Sequence, residues 1–102
     1  MQATLLQIDF PYSGPWGQEA AQAMGDLARD IAGEPGLRWK LWTESPQESR
    51  AGGIYAFDDA TAAERYLRKH TARLAGFGIT GLRVVQFQVN EGLTALTRGP
   101  LG

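Results

Sequence analysis

The chain of 102 residues contains one histidine and no cysteine, so its proton-transfer candidates are few. An unperturbed imidazole titrates near ~6.5, and His70 could therefore accept a proton at neutral pH. His70 recurs at helical spacing with Ala63, Tyr66, Leu67 and Leu74, which places it on the face that a helix turns toward a sheet. Two readings follow. It is a buried histidine hydrogen-bonded to a backbone group, or it is a general base or ligand anchor in a pocket between helix and sheet. Tyr55, Trp39 and Phe57 are the aromatic walls such a pocket would want. Arg73, about one turn from His70, could hold an anionic oxygen or could be an ordinary solvated helix charge.

Other chemistries find little support. One histidine without cysteine cannot build a zinc site of the usual kind, and Asp9, Asp58 and Asp59 show no ligand spacing. A single histidine can ligate haem iron, which keeps haem as an alternative cofactor. There is no G-x-S-x-G. Gly76-Phe-Gly78-Ile-Thr-Gly81 matches G-x-G-x-x-G, but it follows a helix and opens a strand, the reverse of a dinucleotide fingerprint. The net charge of −1 offers no broad basic field for nucleic acid or anionic membrane. In Arg50-Ala-Gly-Gly-Ile-Tyr-Ala-Phe57, Gly52 and Ile54 occupy the positions where an RNA-recognition strand would carry stacking aromatics.

The elements that must position His70 centre on Gly36–Phe57. This stretch holds two strand-like runs, Leu37–Thr43 and Gly52–Phe57, around a polar turn. Strict alternation puts Leu37, Trp39 and Leu41 on one face and Arg38, Lys40 and Trp42 on the other. Gly52 and Gly53 suggest close backbone approach or space beside the sheet. Ala3–Phe10 is a first strand with Leu6, Ile8 and Phe10 on one face. Pro11 ends it, and Tyr12 and Trp16 in the following turn either cover a sheet end or rim a pocket. Gln18–Ala32 is a helix with Ala20, Met24, Leu27, Ala28 and Ile31 as its buried stripe and a structural role. Gly33 suits a left-handed cap. A second helix runs to about Ala75, capped by Asp58 or by a box at Thr61–Glu64. Leu82–Val89 is the last strand. The order β-α-β-β-α-β is that of a ferredoxin-like α+β fold, a four-stranded antiparallel sheet with two helices on one face.

The length suits one domain, residues 1–102, with 1–90 as core and 91–102 as a mixed tail that Leu93 and Leu96 could dock and whose last residues fray. The opening residues lack a signal-peptide pattern, and no apolar run approaches the ~20 residues of a membrane helix. A cytoplasmic location is expected. The second sheet face carries apolar residues, among them Leu5, Trp42 and the row Val85, Phe87, Val89, so a second copy should cover it and form a homodimer. Val85 is expected to face the partner and Val84 the helices.

Several motifs together resemble the YdhR-like family of monooxygenases. They are Thr4-Leu-Leu-Gln7, Gly14-Pro15, Glu34-Pro-Gly36, Trp39-Lys-x-Trp42-Thr-Glu-Ser45, Ala51-Gly-Gly-Ile-Tyr55, His70-Thr-Ala-Arg-Leu74 and Asn90-Glu91. The resemblance covers nearly the whole chain. It implies a dimeric α+β barrel, a pocket between sheet and helices, and cofactor-independent oxygenation of a small aromatic or quinol substrate. On that reading His70 is the base, Phe10, Trp39, Trp42, Tyr55 and Phe57 shape the pocket, and Arg73 steadies the anion. A dimeric binding module for a hydrophobic small molecule, or a haem-binding relative, is the alternative.

Overall fold

The computed structural model describes residues 2–100. Strands β1 (Thr4–Pro11), β2 (Leu37–Ser45), β3 (Arg50–Phe57) and β4 (Arg83–Gln88) form one antiparallel sheet in the order β2-β3-β1-β4. Helices α1 (Gly17–Ala23), α2 (Gly25–Ala32) and α3 (Ala60–Gly76) precede β2 and β4, and a short α4 (Glu91–Leu96) follows β4. This is the ferredoxin-like α+β arrangement expected from the order of elements. The core lies where the inward row of β1 (Leu6, Ile8, Phe10) and that of β3 (Tyr55, Phe57) meet Ile31 of α2 and Ala63, Tyr66 and Leu74 of α3.

The expected first helix is kinked at Met24 and Gly25. The backbone bonds from Met24 N to Ala20 O and from Ala28 N to Met24 O, both 2.9 Å, carry the chain across the kink. Gly25 is a poor helix former, and α1 buries no residue to hold it straight. The first helix does not end on a left-handed Gly33, whose φ is −89°. The left-handed turn falls at Gly36, φ 85°, where a side chain would also collide with Ala62. At the start of α3 neither expected cap is used. The Asp59 carboxylate accepts from Ala62 N at 2.8 Å, while Asp58 takes the Arg38 guanidinium at 2.9 Å.

β2 departs from simple alternation. Leu37 pairs with Phe57 and Trp39 with Ala56, so Arg38 is an extra residue in the strand. This bulge flips the face after Leu37. Leu37 stays with the helices, Trp39 and Leu41 join the open face, and Lys40 and Trp42 point toward the helices. Trp39 and Trp42 do lie on opposite faces, but Trp42 is not part of the open one.

Leu5 pairs with Phe87 and Gln7 with Val85, so Val85 and Phe87 share the open face with Leu5. Val84 sits on the helix side yet is 38% exposed, against 36% for Val85. The helices stop short of β4, and the expected burial of Val84 under them is not found. The tail is also corrected: Asn90 caps α4 by accepting from Leu93 N at 3.0 Å, and Leu93 and Leu96 stand exposed rather than docked. Of the last residues expected to fray, 101–102 lie outside the described residues, while Gly99 N donates to Thr94 O at 2.8 Å and Pro100 O accepts from Trp39 Nε1.

Candidate active site

Between the helix-facing side of the sheet and α1–α2 lies a cavity of about 770 Å³. Phe10, Trp42, Lys40 and Tyr55 come from the sheet, Met24 and Leu27 from the roof, His70 and Leu74 from α3, and Phe77 and Ile79 from the loop after it. The stripe Ala20, Met24, Leu27, Ala28 was expected to be buried core. It is instead the cavity roof, its side chains only partly covered. Glu44 ties roof to floor, both carboxylate oxygens accepting from Gly17 N at 3.0 and 3.2 Å. Tyr12 rims the opening and packs edge-on against Trp16, ring centroids 5.2 Å apart.

Of the residues expected at the site, Phe10, Trp42, Tyr55 and His70 meet in this cavity. Trp39 does not: the bulge at Arg38 turns it to the open face, where its Nε1 donates to Pro100 O at 2.6 Å. Phe57 lies in the core beneath Tyr66, at a centroid distance of 5.4 Å, and does not line the cavity. Arg73 stands behind His70. Its guanidinium reaches His70 Nδ1 at 3.0 Å and Asp30 Oδ2 at 2.6 Å, so its donors are already engaged.

His70 is buried, 3% exposed, and stacks on Tyr66 at 4.9 Å. A guanidinium can only donate, so Nδ1 accepts and the neutral ring carries its proton on Nε2. Burial, with Lys40 and Arg73 nearby, pulls its pKa down to about 3. The lone pair that a base would use is therefore spent on Arg73, and the other nitrogen holds a proton. The same argument makes His70 a poor fit for haem iron, which needs a free imidazole lone pair. Among the described residues there is also no cluster of histidine and carboxylate side chains able to hold a metal ion.

The tyrosines keep their protons. The Tyr66 hydroxyl donates to that of Tyr55 at 3.3 Å, and burial pushes Tyr55 up to about 12 and Tyr66 higher still. Lys40 behaves oppositely. Burial, then repulsion from Arg73, draws its ammonium down to about 7. Its Nζ stands 3.4 Å from the Trp42 ring centroid and 4.7 Å from that of Tyr55. Lys40 was not singled out in the sequence as a site residue. The available signal was its place in one row with Trp42.

Both glycines of β3 have a spatial reason. A side chain on Gly52 would strike the Ile8 carbonyl of β1, and one on Gly53 would lie 2.6 Å from Lys40 Cε. The first permits strand pairing; the second leaves the bed on which the lysine stem lies.

An aromatic-walled pocket thus lies between the sheet and the helices of a ferredoxin-like α+β domain. The family model described as "Putative mono-oxygenase ydhR" matches residues 5–100, and the chain belongs to that family. Among solved structures the chain is similar to SnoaB, a cofactor-independent oxygenase from Streptomyces nogalater. Identity is 16%, the TM-score is 0.63, and 88% of this chain and 95% of that chain are covered. It is also similar to the monooxygenase ActVA-Orf6 of Streptomyces coelicolor, in complex with nanaomycin D, at 17% identity and TM-score 0.62, covering 87% and 88%. Protein SO0527 from Shewanella oneidensis gives 16% and 0.63, covering 86% and 91%. At these identities the likeness shows the fold. No curated protein matches the sequence. Among the described residues no helix is long and apolar enough to cross a membrane.

Proposed function

We propose that the chain is a cofactor-independent monooxygenase acting on a small aromatic or quinol substrate, and that it works as a homodimer. The observation that carries the reading is the cavity of about 770 Å³ floored by Trp42, Tyr55 and Phe10. Its volume suits a ligand of two or three fused rings. Membership of the family supports oxygenation, and the cofactor-independent relative SnoaB supports chemistry without a bound redox group.

The reaction closes without an external reductant. A hydroquinone and dioxygen give a hydroxyquinone and water. One ring C–H becomes C–OH, and the two phenolic O–H groups become carbonyls. One oxygen atom enters the ring and the other leaves as water. The quinol itself supplies the two electrons that a cofactor would otherwise bring. Loss of a phenolic proton starts the sequence, because the phenolate gives up an electron to oxygen far more readily than the phenol does. The protein's part is to hold the ring against apolar walls, accept that proton and keep bulk water away.

Oxygen uptake with a panel of benzo- and naphthohydroquinones tests this, with isotopically labelled dioxygen to follow the inserted atom. Saturable uptake above autoxidation, with one labelled oxygen per product, is expected. Saturable binding with no turnover across the panel would leave the non-catalytic binding module instead.

The dimer rests on the open face, where Leu41, Val85 and Phe87 are exposed beside Leu5. A patch drawn from three strands is costly to leave in water, and a second copy packed about a two-fold axis would cover it.

A further inference from the structure

We propose that Lys40, and not His70, takes the phenolic proton of an aromatic substrate in this cavity, and that the ammonium so formed pairs with the phenolate. The inference rests on reading the cavity as an aromatic-substrate site. It does not require that oxygen then react.

Five titratable side chains line the cavity: Tyr12, Lys40, Glu44, Tyr55 and His70. Four are committed. Glu44 accepts from Gly17 N through both oxygens at the exposed rim. Tyr55 holds its proton and accepts from Tyr66. Burial, then Glu44, raises Tyr12. His70 receives Arg73 on Nδ1.

Lys40 is different. Among the described residues no carboxylate pairs with it, and its head lies instead over the Trp42 and Tyr55 rings. Its surroundings explain why it can lose a proton. From α3, Arg73 repels it and His70 is neutral. From α2, the Asp30 carboxylate is bound to Arg73. From its own strand come Trp42 and, further along the same row, Glu44, whose carboxylate is held by Gly17 N at the rim; from β3 comes the uncharged Tyr55. Asp9 of β1 is on the other face with Arg50 and Arg83. The absence of a side chain at Gly53 gives the lysine stem its bed.

The transfer balances by itself. The phenolic O–H bond breaks and an N–H bond forms on Nζ. A neutral amine and a neutral phenol become an ammonium and a phenolate over an aromatic floor. No counter-ion has to enter. A buried lysine with a lowered pKa is the form of this side chain that serves as a base.

The test is the pH dependence of 2-naphthol binding, with the naphtholate absorption band as the second readout. A phenol of this kind titrates near ~10, as tyrosine does. In the wild type, affinity should rise about tenfold per pH unit up to ~7 and then stay level to ~10, with the naphtholate band present when bound. In Lys40→Arg, whose cation does not titrate, the rise should continue to ~10. In Lys40→Met the bound ligand should be neutral naphthol, without the band and without a breakpoint near ~7. His70→Gln should keep the wild-type breakpoint. Circular dichroism on each variant checks folding, and the wild-type and arginine profiles decide the matter if the methionine variant does not fold.

Four results overturn the proposal: no saturable binding, no naphtholate band in the wild type, an unchanged breakpoint in Lys40→Arg, or a breakpoint lost in His70→Gln. The same proteins assayed for hydroquinone-dependent oxygen uptake separate this inference from the one beneath it. Naphtholate binding on this profile without oxygen uptake sinks the oxygenase reading and leaves Lys40 as proton acceptor. Oxygen uptake with an unaltered pH profile in Lys40→Met does the reverse.

Discussion

His70 and Lys40 show how two bases in one cavity divide their roles. Burial lowers the pKa of each, but only His70 has its lone pair occupied. The histidine's cost appears in stability. An unfolded histidine titrates near ~6.5 and the folded one near about 3, so between those values the unfolded chain binds the extra proton. The contribution of His70 is full above ~6.5 and is lost as the pH falls toward the folded value. Thermal unfolding of the wild type and of His70→Gln, followed from neutral pH down to pH ~4, should show the steeper fall in the wild type. Parallel curves would mean that His70 titrates normally in the folded chain. Glutamine is the chosen replacement because its amide oxygen can still accept from Arg73.

At the scale of elements, the start of α3 offers a measurable choice between neighbours. Asp59 satisfies a helix N–H, that of Ala62, whereas Asp58 makes an exposed ion pair with Arg38. Loss of an N-cap costs typically ~1 kcal/mol, while an exposed pair contributes between nothing and ~1 kcal/mol. Urea unfolding should therefore place Asp59→Ala below Asp58→Ala in stability. Equal losses would show that the cap has no special weight here. The kinked α1–α2 pair belongs to the same scale. Its alanine-rich stripe matches the helical period, but small side chains over a hollow leave space where larger ones would have filled it. A roof made this way leaves room for a ligand at the cost of tight packing.

For the whole molecule, the open face and the uncovered side of β4 make different demands. A charge at Val85 stands on the proposed partner face, and a charge at Val84 stands on the helix side at a place the helices do not reach. Both Val85→Asp and Val84→Asp should fold, because each position is more than a third exposed in the single chain. Only Val85→Asp should shift light scattering from dimer to monomer. A wild type that is monomeric at micromolar concentration would remove the dimer. A Val84→Asp chain that loses its circular dichroism would show that the helix side of β4 is covered in solution.

The periodicity of the sequence determined the element order and the inward rows, because apolar positions at spacings of two and of three to four can be buried in only one way. It placed Leu6, Ile8 and Phe10 together, aligned Tyr66, His70 and Leu74 on one helix face, and separated Trp39 from Trp42. It also put Val85 and Phe87 in one row, and the pairing with Leu5 and Gln7 then showed which face that row takes. Three features were decided only by tertiary structure. The bulge at Arg38 breaks alternation, since an inserted residue follows no period, and it took Trp39 out of the cavity. The roof lies over a hollow, and a pattern of apolar residues is the same whether the space beneath is filled or empty. The partner of His70 comes from its own helix, but the ion pair that fixes Arg73 comes from Asp30, 43 residues away in the chain. Which base is free, Lys40 or His70, follows from that contact, and a contact between distant segments exists only once the chain has folded.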